Sequence, residues 1–163
     1  MSKLKRFIAI AVVAVGSSSL NAQGVITEKN LSLATAQTIA NGAMGKCQQL
    51  GYKISVTVVD RAGLAIVMLH GDGASLHTSE SSDRKAYTAL TFRAPSADLE
   101  RRVHNNESAA KGQKAYTRVL AMAGGLPIKV GDDVIGAVGV SGTPGKDEVC
   151  AQAGIDKVTD LLK

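Results

Sequence analysis

Three histidines and one glycine-rich loop are the groups in this chain with the clearest chemistry. His70, His77 and His104 show no helical metal-pair spacing, and no carboxylate stands around them in a zinc-protease arrangement. A structural zinc site is therefore not indicated. One imidazole is still enough to hold an iron that a macrocycle already carries, as a proximal histidine does in haem proteins. His77 has the most distinctive setting, within Gly71-Asp-Gly-Ala-Ser-Leu-His-Thr-Ser79 at the mouth of an expected helix. A glycine-rich loop ahead of a helix start lets a ligand approach the backbone and offers N–H groups to anionic oxygens. Asp72 and Gly73 lie in that loop, and Lys85 follows one or two turns on with a charge suited to a carboxylate. The plainer alternative is that Asp72 and Ser79 merely organise a capped loop.

Two enzyme motifs fail on spacing. In Val138-Gly-Val-Ser-Gly-Thr-Pro-Gly145 a glycine follows Ser141 directly, whereas a hydrolase elbow needs Gly-x-Ser-x-Gly. Glycines at 136, 139 and 142 do not make the Gly-x-Gly-x-x-Gly of a dinucleotide loop, and they come late in an antiparallel pattern.

The elements that must position these residues follow from periodicity. Apolar positions at helical spacing predict a first helix over Asn30–Leu50, closed by Gly51. Gly42 and Gly45 within it point to a close neighbour on that face. The β-branched run 54–60, a turn at Arg61-Ala-Gly63 and the run 64–69 predict a hairpin. A second helix is expected over Ser79–Arg93, capped by Ser79 or Ser81 and ended by Pro95. Residues 96–114 read as short helical turns. Strands are expected at Tyr116–Ala123, Leu126–Val130 and Val134–Ser141, and a last helix at Lys146–Leu162. Consecutive strands joined by tight turns predict an α+β domain, an antiparallel sheet with helices on one face.

The amino terminus reads as an export signal. A cationic start with Lys3, Lys5 and Arg6 precedes the apolar run 7–15 and a small-residue stretch, with cleavage expected after Ala22. The run is far short of the ~20 residues that span a bilayer. Residues 23–163 then form one domain, periplasmic or secreted, without a membrane span. Of 19 basic residues 16 remain against 14 acidic ones, so the pI of 9.3 owes much to the leader. With Phe92 the one remaining phenylalanine and no tryptophan, nucleic-acid binding is not indicated. In an oxidising compartment Cys47 and Cys150 are expected to form a disulfide.

Several segments together resemble a known group. Val56-Thr-Val-Val-Asp60 with Gly63, then Gly71-Asp-Gly-Ala74, then Arg84-Lys-Ala-Tyr-Thr-Ala89 match its first half. Gly124-Gly-Leu-Pro-Ile128, Val134-Ile-Gly-Ala-Val-Gly-Val-Ser-Gly142 and Asp147-Glu-Val-Cys-Ala-Gln-Ala-Gly154 match its second. The chain, from about residue 31 to 163, is similar to the extracellular haem-binding protein family that includes the glycolate-operon protein G. It also resembles the carboxy-terminal domain of propanediol-utilisation corrinoid adenosyltransferases. The resemblance implies a profilin-like fold with a five-stranded antiparallel sheet, homo-oligomers, and haem or a related tetrapyrrole as ligand. Some members are reported to degrade haem or to act as redox sensors.

Some relatives hold haem iron through a histidine on the first helix. This chain has none there, and Met44 is the soft donor on that helix. Leu69-His70-Gly71 also replaces the hydrophobic-arginine pair that ordinarily precedes Asp-Gly. His77 is thus the first candidate iron ligand, His104 the second and Met44 the third. The alternative is a protein acting on small hydroxy or oxo acids, with Lys85, Arg84 and the Gly142–Gly145 turn holding a carboxylate.

Overall fold

The computed structural model describes residues 24–163, so the expected leader and its cleavage point lie outside the described residues. Helix α1 (Leu33–Gln49) starts where Ser32 Oγ accepts from the Thr35 amide at 3.2 Å. Strands β1 (Ser55–Asp60) and β2 (Ala65–His70) form the expected hairpin, followed by α2 (Thr78–Phe92), α3 (Ser96–His104) and α4 (Ser108–Gln113). Strands β3 (Gly125–Val130) and β4 (Asp133–Ser141) lead to α5 (Asp147–Asp156) and a short 3₁₀ turn, Thr159–Leu161. The last helix is therefore shorter than expected.

Among the described residues the sheet has four strands, in the order β2-β1-β4-β3, and every neighbouring pair is antiparallel. The fifth strand expected at Tyr116–Ala123 is absent there. That segment turns on itself, with Val119 N donating to Tyr116 O at 2.9 Å and Met122 N to Leu120 O at 2.9 Å. Side chains meet its other backbone groups: Leu120 N donates to Thr88 Oγ1, Ala123 N to Glu100 Oε2, and Ser96 Oγ to Met122 O. Buried backbone groups need partners, and here side chains supply what a ladder would have supplied.

The helices lie on both faces of the sheet, not on one. Val56, Val58, Val138 and Val140 point to α1 and α5 and build the larger core with Ile39, Ala43 and Ala151. The alternate positions Val59 and Ala137 point the other way, to Ala86 and Ala89 of α2. This second face is lined by small residues, so α2 lies very close to the sheet. A Cβ on Gly139 would collide with the Ser82 carbonyl and the Ala86 amide. The glycines and alanines of β4 thus read as a surface shaped for a helix, which strand periodicity alone does not reveal.

Cys47 of α1 and Cys150 of α5 are bonded, with Cα atoms 5.5 Å apart and a sequence separation of 103. In the chain-entropy model a loop of that size is worth about 4.7 kcal/mol. Of the two glycines in α1, Gly42 is the close-contact one: a Cβ there would meet Gly154 Cα at 3.0 Å, while Gly45 faces open space.

Candidate functional site

The glycine-rich loop, the last residue of β2, the first of β1 and the first turn of α2 converge at one end of the sheet. Antiparallel register places His70 opposite Ser55. Gly71 N then donates to Ile54 O at 2.9 Å, and Ala74 N to Gly71 O at 3.0 Å, folding the loop back over β1. Gly73 has φ +70°, a left-handed conformation that glycine adopts without a Cβ penalty. The Lys53 side chain lies along this turn, its Nζ 3.0 Å from where a Gly73 Cβ would stand. Met44 reaches the same loop from α1, its sulfur 3.4 Å from the corresponding point on Gly71.

The expected site residues divide into two groups. Asp72 and Gly73 lie in the loop and His77 at its end, and Met44 reaches the loop from α1 at Gly71. His77 takes the N-cap position of α2 in place of Ser79 or Ser81, its side chain making no cap hydrogen bond, and it is exposed. His104 is exposed at the end of α3, a helix packed on α2, α4 and β3.

Lys85 is not offered to solvent. Its Nζ sits 2.7 Å from Asp147 Oδ2 and 3.3 Å from Val140 O, and the side chain is 3 % exposed. Asp147 Oδ1 accepts from Thr143 N at 3.0 Å, so the Gly142–Gly145 turn is held by the same carboxylate. The positive charge at the loop is that of Lys53. Sequence reasoning passed over Lys53 because its link to the loop depends on the return of the chain after β2.

His70 is the histidine that sequence reasoning left out of its ranked ligands. Its Nδ1 lies 2.8 Å from Ser55 Oγ and 2.9 Å from Ser79 Oγ. Ser55 Oγ is in turn 2.8 Å from Thr78 Oγ1, which donates to Ser75 O at 2.6 Å. The signal in sequence was a strand-terminal histidine opposite a serine, but the pairing depends on hairpin register.

An open groove of about 890 Å³ runs between α1 and α5. Asn41, Lys46 and Gln49 line one side, and Glu148, Gln152 and Asp156 the other; no histidine, methionine or cysteine borders it. The imidazole and thioether side chains at the loop end thus have no counterpart in the groove. Among the described residues no cluster of three or more His, Cys, Asp or Glu could hold a bare metal ion.

A four-stranded antiparallel sheet between α1/α5 and α2, with glycine loops gathered at one end, is an α+β architecture. The chain belongs to the family described as haem degrading protein HbpS-like, whose model matches residues 31–156. An uncharacterised 15.0 kDa protein from the dhaT–dhaS intergenic region of Citrobacter freundii is 31% identical over 133 residues, covering 80% of this chain and 94% of that protein. The crystal structure of HbpS superposes with a TM-score of 0.77 at 34% identity, covering 82% of this chain and 93% of that one. A structure of a PduOC:heme complex superposes with a TM-score of 0.72 at 27% identity, covering 78% and 94%. The family expected from the sequence is thus the family found.

Proposed function

We propose that this chain is an exported haem-binding protein, acting in haem capture or sensing in the periplasm or outside the cell. The observation that carries the reading is kinship at full domain length with HbpS and with a PduOC that holds heme. The donor set at the loop end fits such a ligand. Haem needs a nitrogen or sulfur ligand for its iron and cations or N–H groups for its propionates. His70, His77 and Met44 supply the first kind of group there, and Lys53 with the Gly71–Gly73 backbone the second. Bound haem would bring redox-active iron; the chain's part is to position and shield it. The apolar stretch 7–15 behind three cations supports export, and the bonded cysteines suit an oxidising compartment. The outer strands β2 and β3 leave backbone groups free for a second copy, which supports the homo-oligomer the family resemblance implies.

Micromolar hemin added to the purified protein should give a shifted, saturable Soret band. No shift would remove the reading. An enzyme or accessory protein acting on small hydroxy or oxo acids has less support, because its expected cations are engaged: Lys85 with Asp147, and Arg84 with Glu80 and the Val119 carbonyl. Thermal stabilisation by such acids, without any by hemin, would reverse that order.

A further inference from the structure

We propose that the iron ligand is Nε2 of His70, an assignment that rests on the haem reading and adds the axial donor to it. Counting protons along the hydroxyl chain carries the argument. The Ser75 carbonyl only accepts, so Thr78 spends its one hydroxyl proton there, at 2.6 Å. Ser55 Oγ, 2.8 Å from Thr78 Oγ1, must then donate its own proton to Thr78. Ser55 has none left for His70, so the 2.8 Å contact is made by an Nδ1–H donating to Ser55 Oγ. Ser79 Oγ, 2.9 Å from the same nitrogen and 3.4 Å from Ser55 Oγ, takes that proton as a second acceptor and turns its own toward Ser55, whose second lone pair is open.

The neutral ring therefore carries its hydrogen on Nδ1, and Nε2 keeps a free lone pair. Ser55 is fully buried and Thr78 is 1 % exposed, so solvent does not rewire the chain. His70 itself is exposed. Metal-binding histidines characteristically have one ring nitrogen held by a hydrogen bond, which fixes tautomer and orientation for the other. Among the described residues no hydrogen bond holds the ring of His77 or His104, so His70 is the pre-oriented imidazole of the three.

The surroundings suit a flat apolar ligand. Met68, two residues earlier and so on the same side of β2, is 48 % exposed, and Leu76 on the following loop is 94 % exposed. Met68 opposes Thr57 as His70 opposes Ser55, on the face that α2 covers elsewhere.

Hemin titrations of the wild type and of His70→Ala, His77→Ala and Ser55→Ala test this. His70→Ala should lose the imidazole-ligated Soret and visible bands and bind at least tenfold more weakly, and added imidazole should restore the spectrum. His77→Ala should keep the imidazole-ligated bands, since ligation and not affinity is read there. Ser55→Ala, which leaves the imidazole but frees its ring, should bind about 10–100-fold more weakly. In the ligand-free protein, ¹⁵N shifts of His70 should report the proton on Nδ1. An unchanged spectrum in His70→Ala overturns the assignment and leaves the haem reading standing. Failure of the wild type to bind hemin overturns both. An Nε2–H tautomer, or wild-type affinity in Ser55→Ala, overturns the proposed orientation.

Discussion

Lys85 Nζ and Asp147 Oδ2 meet at 2.7 Å although their helices, α2 and α5, lie on opposite faces of the sheet. The pair passes the sheet at Gly124, just before β3. There a Cβ would stand 2.9 Å from both Asp147 Cβ and Lys85 Cδ. The ion pair closes the two helical layers against one another where the strands end. Its removal by halves should be costly, because each partner would leave the other charged and buried.

Lys85→Met should lower unfolding free energy by about 3–5 kcal/mol, the usual cost of orphaning one member of a buried pair. Lys85→Met with Asp147→Leu should lose less than the two single changes summed. Urea denaturation of the three variants checks this, and additive losses would contradict it.

Glycine substitutions should separate contact from propensity. Gly139→Ala forces α2 off the sheet, since its Cβ would enter the Ser82 backbone, and should cost about 3 kcal/mol or more. Gly45→Ala, with nothing within 4 Å of its Cβ, should instead stabilise the helix by up to about 1 kcal/mol. Melting temperatures moving in opposite directions would meet the expectation.

Arg118 holds the turn-rich segment before β3 in place. It clasps Asp83 at 2.7 and 3.0 Å, donates to Gly63 O at 2.8 Å and lies 4.4 Å over the Tyr87 ring. Its hydrogen bonds to Asp83 raise the guanidinium pKa above its already high value, against the opposing effect of burial, so Arg118 stays a cation. Arg118→Ala should therefore speed amide exchange at Leu120 and Ala123 while leaving the β1–β4 ladder slow. Uniform exchange changes would show that the clasp is not local.

Reduction, or Cys47→Ala with Cys150→Ala, should lower stability by about 2–5 kcal/mol without changing the fold. Both sulfurs are fully buried between α1 and α5, so reduction of the folded protein should be slow until denaturant is added. Thiol labelling over time distinguishes the two regimes.

Much of this organisation was legible in the residues. The hairpin, α1, α2 and the disulfide follow from β-branched alternation, helical spacing and an even cysteine pair in a chain read as exported. Tyr116–Ala123 misled because its apolar residues satisfy a strand pattern while its backbone is answered by Thr88, Glu100 and Ser96, which come from elsewhere in the sequence. Helices on both faces were hidden in β4, where Ala137 and Gly139 look like weak strand formers until α2 is placed on them. At the site, position along the chain drew attention to His77 and Lys85. Register and loop return give those positions different neighbours and bring forward His70 and Lys53. Such relationships depend on which strand residue faces which, and no local window contains that information.

The Cys47–Cys150 bond also bears on damage. It encloses α2, α3, α4 and the exposed stretch 104–109 between them within one covalent loop. A protease that cuts once anywhere between the two cysteines releases nothing: both pieces stay on one molecule, with α1 and α5 still joined. A nicked chain of this kind can keep its larger core assembled, and on a gel it would betray the cut only after reduction.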